Sequence, residues 1–356
     1  MPPSVPRRYG STGPPKLDRR AVLRLWGGVA CMAVLIGIAA WVSRAGAGPA
    51  AAVRNGPAAT AATWTGDMTG FTRQPTAAPG PVSDEADMAF DRSRGVVVLW
   101  DHGCSRLVMG FTGGCQGQVD QAWTWDGRGW HDQHTATSPK AVGQGAMFYD
   151  PRLGEVVYLN RVGQAWAWSG SGWRSLTIAG MPRLTQPGAV ANSEQLLVAA
   201  GYDEGRNLLV IALPSTTWTW NGSRWAQIDG GIDLADGQSD PHAVYFSASG
   251  RLIYLGQRSI WTWDGSGWLA QTQPGLAGAT LGYDPVRRTA VVVREDTSDC
   301  DRVACAARIW SWDGTVWILQ TVAHAPEMPL TRSGATDLPM AFDEARGNLV
   351  LFISAT

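Results

Sequence analysis

The chain has 356 residues, 45% apolar and only 17% charged, and 43 glycines and 21 prolines cut it into short segments. That composition excludes a disordered chain and a long-helical protein. The formal net charge of −1 hides an asymmetry: residues 1–44 hold seven of the 29 basic residues and one of the 30 acidic ones, so the remainder carries 22 against 29, a net −7, which would repel phosphates and excludes nucleic acid as a partner.

Residues 1–20 form a basic lead, read as a cytoplasmic N-terminus. It is followed by "AVLRLWGGVACMAVLIGIAAWV", residues 21–42, whose one charge is Arg24. As a helix this run would span roughly 33 Å, enough for a bilayer core. Positive charge before it keeps that end inside, which predicts a single-pass membrane protein with everything after Ser43 outside. The stretch "DRRAVLR" at 18–24 also resembles a twin-arginine export signal, and "AGA" at 45–47 would suit a signal peptidase. Secretion after cleavage is therefore the alternative, and the length of the apolar run favours the anchor. Cys31 reads as a buried membrane thiol, since Gly28 stands where a lipoprotein signal needs a large aliphatic residue. Residues 43–62 lack apolar periodicity and read as a flexible stalk.

From residue 63 the sequence repeats. "AWTWDGRGW" (122–130) recurs as "AWAWSGSGW" (165–173), "TWTWNGSRW" (217–225), "IWTWDGSGW" (260–268) and "IWSWDGTVW" (309–317), with a degraded copy, "TWTGDMTGF", at 63–71. Fifteen of the 19 tryptophans fall in the five full copies, so tryptophan belongs to the repeat and not to one site. A second unit alternates with it: "MAFDRSRGVVVLW" (88–100), "MFYDPRLGEVVYL" (147–159), "AGYDEGRNLLVIA" (200–212), "VYFSASGRLIYLG" (244–256), "LGYDPVRRTAVVV" (281–293) and "MAFDEARGNLVLF" (340–352). Both units have β-rich runs around turn residues and read as hairpins.

Two hairpins per repeat of about 45 residues make a four-stranded antiparallel blade of a β-propeller. The sequence thus predicts an all-β, six-bladed propeller over 63–356. Five blades are complete from about 87 to 322, and the sixth is shared between residues 339–354 and 63–74, which removes the exposed edges of a linear array. The recurring W-x-W-[DN]-G-x-x-W with the [FY]-D hairpin resembles the kelch-type repeats of galactose-oxidase-like propellers, in the form common in bacterial exported proteins.

In such a sheet residues two apart share a face, so Trp123, Trp125 and Trp130 form one cluster per blade that fills the wedge between neighbours. Asp91, Asp150, Asp203, Asp284 and Asp343 fall at one hairpin position, with Ser247 as the exception, and read as turn caps. Cys104 with Cys115, and Cys300 with Cys305, bracket two loops and are expected to form disulfides in an extracytoplasmic protein.

The resemblance raises copper-radical sugar oxidation, which needs two histidines, two tyrosines and a crosslinked cysteine around one copper. Nothing matches that set, and no cofactor or metal is expected. His131 and His134, three apart on an expected strand, point to opposite faces. Length variation is confined to the longer connections at 101–120, 177–193, 228–241, 296–307 and 321–338, where recognition usually resides. Asp101, His102, Arg161, Arg183, Asp240, His242 and Arg332 are the candidate rim contacts. The expected function is a noncatalytic binding or adhesion module for a surface glycan or protein; the alternative is a carbohydrate oxidase or lyase.

Overall fold

Hairpin pairs assemble as the repeat requires. The computed structural model describes residues 61–354, less 76–79, 84, 104–106, 109–113, 116, 141–143, 186–195, 239, 301–303 and 330–337. The first blade consists of strands Ala86–Asp91, Val96–Asp101, Gln121–Trp125 and Trp130–Asp132 in sequence order. The second uses Ala146–Asp150, Glu155–Leu159, Ala165–Trp168 and Trp173–Leu176. The third uses Ala199–Asp203, Leu208–Ala212, Thr216–Trp220 and Trp225–Asp229. The fourth and fifth begin at Val244–Phe246 and Thr280–Asp284 and end at Trp268–Thr272 and Trp317–Gln320.

The sixth blade is shared by the chain's two ends. Met340–Asp343 and Asn348–Ile353 supply its inner strands, and Ala62–Asp67 and Gly70–Arg73 its outer ones, with Trp64 opposite Leu351 across the join. The first strands of successive blades touch in a closed cycle, the sixth meeting the first. Among the described residues, the pairing of Ala62–Asp67 with Asn348–Ile353 leaves no open edge between the two ends of the array.

The core lies between blades, as six clusters, one per junction. Each blade's tryptophans pack against the preceding blade: Trp125 and Trp130 join Val350 and Phe352 of the sixth, and Trp168 and Trp173 join Trp100 of the first. The cross-strand pairing is as expected, with Trp125 opposite Trp130 and Trp168 opposite Trp173. In the degraded copy Gly66 takes the second tryptophan's place opposite Phe71, whose ring fills the gap alone.

The repeated aspartates do more than cap turns. Each is buried and pairs with an arginine of its own turn: Asp91 with Arg94 at 2.8 Å, Asp150 with Arg152 at 2.8 Å, Asp203 with Arg206 at 3.0 Å, Asp284 with Arg287 at 3.0 Å and Asp343 with Arg346 at 2.8 Å. The guanidinium then donates to the next blade, Arg94 to the Ser169 carbonyl, Arg206 to that of Asp264 and Arg346 to that of Gly95. It lies on the next blade's bend glycine: a Cβ on Gly170 would stand 2.1 Å from Arg94 Nε, and one on Gly127 2.0 Å from Arg346 Nε. The Asp-Gly bend is thus needed for the passage of arginine as well as for its positive φ, +91° at Gly127.

Ser247 requires a correction. The first hairpins pair residue i with i+5, as in Asp91 with Val96, and in the fourth blade that pair is Phe246 with Arg251. Phe246, and not Ser247, therefore occupies the aspartate position. Its buried ring packs on Trp312 (5.6 Å between centroids) and against the bend glycine Gly314, so an apolar contact replaces the ion pair at that one junction. Ser247→Asp is expected to change stability by less than about 0.5 kcal/mol, whereas Asp203→Ala, which removes the cap on the Arg206 N–H and an ion pair, costs about 2 kcal/mol; urea unfolding of the two variants checks both.

Residues 296–307, expected as a loop, mostly extend the fifth blade: its middle strands run Thr289–Cys300 and Ala304–Trp312, and Glu327–Pro329 pairs with the latter. Among the described residues the only helical element is a single 3-10 turn, Leu234–Asp236, and no helix is long and apolar enough to cross a membrane. The expected membrane segment 21–42, with the lead 1–20 and the stalk up to residue 60, lies outside the described residues.

Candidate functional site: the loop face and axial channel

Strands alternate in direction, so bends between strands one and two and between three and four share one end of the propeller. All other connections share the opposite end. There Asn160–Gln164 and Leu213–Thr216 are tight closures, while the connection from Asp101 to Gln121 is long and the fifth blade's middle strands run on to Cys300 and from Ala304.

Asp101 ends the second strand of the first blade and is fully buried. It accepts hydrogen bonds from the backbone N–H groups of Val82 (3.0 Å) and Ser83 (3.3 Å) and from the Ser83 hydroxyl. Burial pushes its carboxyl up, and the Ser83 and Val82 hydrogen bonds and the charge of His102 pull it only part of the way back. Asp101 is a latch that holds the chain entering the first blade.

His102 is also buried. Its Nε2 lies 2.7 Å from Asp87 Oδ2 and its Nδ1 3.9 Å from Glu85 Oε2, and the Tyr158 ring of the second blade stands 6.1 Å away. Burial alone would lower its pKa, but Asp87, then Glu85 and Asp101, override it and hold the imidazole above its ordinary value. Asp87 also accepts from the Gly145 N–H at 3.3 Å, where a Cβ would stand 2.4 Å from the Tyr158 ring. A histidine–carboxylate pair works as a relay only with a nucleophile on the second ring nitrogen. Here that nitrogen faces another carboxylate, so the pair is a buried charge contact within the first blade, and Asp87 carries the link to the second through Gly145.

Arg161 donates to three carbonyls, Gln144 (2.9 Å), Leu197 (3.2 Å) and Gln238 (3.1 Å), and so ties the connections of the second, third and fourth blades. Asp240 accepts from the His242 N–H at 2.8 Å. The His242 ring lines the axial channel, and burial lowers its pKa to about 4 against the weaker upward pull of Asp87. Arg183 is exposed on the loop face, and Arg332 lies outside the described residues. Of the expected rim contacts, then, Asp101, His102 and Arg161 hold the scaffold, and Arg183 projects from it.

Sequence reading did not single out Asp87, Glu85 and Tyr158. The only signal for Asp87 was a charge inside an apolar first strand. His131 pairs with Asp126 at 3.1 Å and His134 with Asp132 at 3.2 Å; His134 falls beyond strand Trp130–Asp132. Among the described residues no group of His, Cys, Asp or Glu could hold a metal ion. Cys300 and Cys305 are register partners on adjacent strands; Cys104 lies outside the described residues, and Cys115 pairs by its backbone with Leu107. The channel encloses a cavity of about 150 Å³ walled by the first strands.

These features define a six-bladed β-propeller with its irregular backbone at one end and a narrow axial cavity. No protein-family model and no curated protein sequence matches the chain. Among solved structures it is similar to SapL1 lectin in complex with alpha methyl fucoside, at 14% identity and TM-score 0.43 over 73% of this chain and 85% of that one. It is also similar to YCF48 bound to D1 peptide (15%, 0.35, 79% and 99%) and to an ancestral GH74 enzyme (10%, 0.40, 79% and 39%).

Proposed function

We propose that the chain is a noncatalytic, kelch-like binding or adhesion module for a surface glycan or protein, displayed outside the cell on its N-terminal segment. One observation carries the reading: five junctions repeat the same arginine device at one end, while the opposite end carries every long connection on a scaffold stapled by Asp101, His102 and Arg161. Rigid repetition beneath variable loops suits recognition. The full-length protein, screened on glycan and protein arrays, is expected to bind a ligand whose capture weakens at least tenfold in Arg183→Ala or Arg332→Ala. Binding that survives both, or turnover of a sugar substrate, overturns the reading.

Export would also leave its mark on the cysteines. Cys300 and Cys305 stand directly opposite each other in the ladder, a placement within disulfide reach. Peptide mapping of the unreduced protein is expected to yield a Cys300–Cys305 crosslinked peptide that separates on reduction; two free thiols at these positions would contradict it.

A further inference from the structure

The axial cavity opens at the tight-hairpin end, opposite the loop face, and its wall there is unusual in composition. Each first strand places an aromatic residue just before the aspartate position: Phe90, Tyr149, Tyr202, Tyr245, Tyr283 and Phe342 all line the cavity. The residues just after that position ring the mouth, and three of them are charged: Arg92, Glu204 and Glu344.

Arg92 crosses the opening. Its Nη1 donates to Glu204 Oε2 of the third blade and its Nε to Glu344 Oε1 of the sixth, each at 2.7 Å, and its guanidinium stands 5.7 Å over the Tyr149 ring. Two carboxylates gripping separate edges of one planar cation, with an aromatic face beneath, is the geometry in which guanidinium recognition is strongest. The grip is additional to the contacts between neighbouring blades, five of which carry an aspartate–arginine pair and the remaining one the Phe246–Trp312 contact. The three side chains remain 28–37% exposed, so the contact is reachable from solvent.

We propose that this mouth is a binding site for a guanidinium-bearing ligand, in which Arg92 is a built-in occupant that the ligand displaces. When Arg92 swings outward, Glu204 and Glu344 are left facing each other above the aromatic ring. The cavity below, lined by Met88, Met147 and Met340, takes the ligand's alkyl stem. Arg92 lowers apparent affinity by the fraction of molecules in which it holds the site closed. The site is at the other end of the molecule from the loops and does not depend on the glycan or protein reading.

Calorimetric titration of the full chain with ethylguanidinium tests it, with ethylammonium at equal ionic strength and neutral ethylurea as controls. Arg92→Ala is expected to bind ethylguanidinium at least tenfold more tightly than the unmodified chain. Adding Glu204→Gln and Glu344→Gln to that variant is expected to lose the gain, and ethylurea is expected not to bind. Equal affinity with and without Arg92, or ethylurea binding as tightly as the cation, overturns the proposal. Should Arg92→Ala fail to fold, Arg92→Gln, which keeps the side-chain length without the charge, replaces it under the same criteria.

Discussion

Trp168→Ala is expected to cost roughly 3–5 kcal/mol and to lower the melting temperature by about 10 °C in thermal unfolding followed by near-UV circular dichroism. Trp168 is fully buried at the junction of the first and second blades, with Trp173 packed edge-on at 5.4 Å and Trp100 in the same cluster. The β-sheets on both sides are hydrogen-bonded along their length, so they cannot close over the space an indole leaves, and the cavity term adds to the lost transfer energy. Two controls separate packing from polarity. Trp168 Nε1 makes no protein hydrogen bond, so Trp168→Phe loses only ring volume, about 1–1.5 kcal/mol. Trp130 Nε1 donates to Thr63 Oγ1 at 2.7 Å, so Trp130→Phe also orphans a buried hydroxyl and costs about 1 kcal/mol more. Equal losses for Trp168→Ala and for Trp225→Ala, whose ring is half-buried and donates to a backbone carbonyl, would show that the wedges do not carry the stability.

What the sequence displayed was whatever repeats at a fixed period. Hairpin type, the opposition of Trp125 and Trp130, and the closure of the sixth blade by residues near Trp64 follow from local turn chemistry and alternation, which act over a few residues. The arginines were hidden because each pairs within its own turn but acts on the next blade. Their positions vary too: Arg152 stands two residues after its aspartate, while Arg94, Arg206, Arg287 and Arg346 stand three after theirs. The fourth blade misled by one residue because "YFS" matches the [FY]-D pattern, whereas the bend is set by Gly250 at φ +67° four residues after Phe246. A left-handed position fixes hairpin register more firmly than the residue that precedes the turn. The buried set of Asp87, His102 and Tyr158 had no local signature, since it is assembled from two blades. The mouth formed by Arg92, Glu204 and Glu344 draws on three, separated by 112 and 252 residues of chain.

Buried His102 and half-buried His242 should give the protein a stability maximum near pH 6.5, with limbs of opposite origin. His242 has a folded-state pKa of about 4 against an ordinary 6.5, so the unfolded chain takes up the proton first. Its contribution is complete above pH 6.5 and is lost as pH falls from there through 4, by at most about 3 kcal/mol and by less where solvent reaches the half-buried ring. His102 runs the other way. Its folded-state pKa is raised against burial by Asp87, Glu85 and Asp101, so the imidazolium is favoured in the fold. That contribution is complete below about 6.5 and is lost as pH rises through the folded value. Urea unfolding from pH 4 to 9 is expected to show both limbs. His242→Asn should flatten the acidic limb alone, because the neutral amide cannot take up the proton that drives it. Asp87→Asn should flatten the alkaline limb, because burial then lowers the His102 pKa without its principal counter-charge, and it should also weaken the link to Gly145 in the second blade. An acidic limb between pH 6.5 and 4 that persists in His242→Asn would overturn the assignment, since it could not come from carboxylates held below their ordinary range, such as Asp264 and Asp313. Those act below pH 4, outside the window in which His242 titrates.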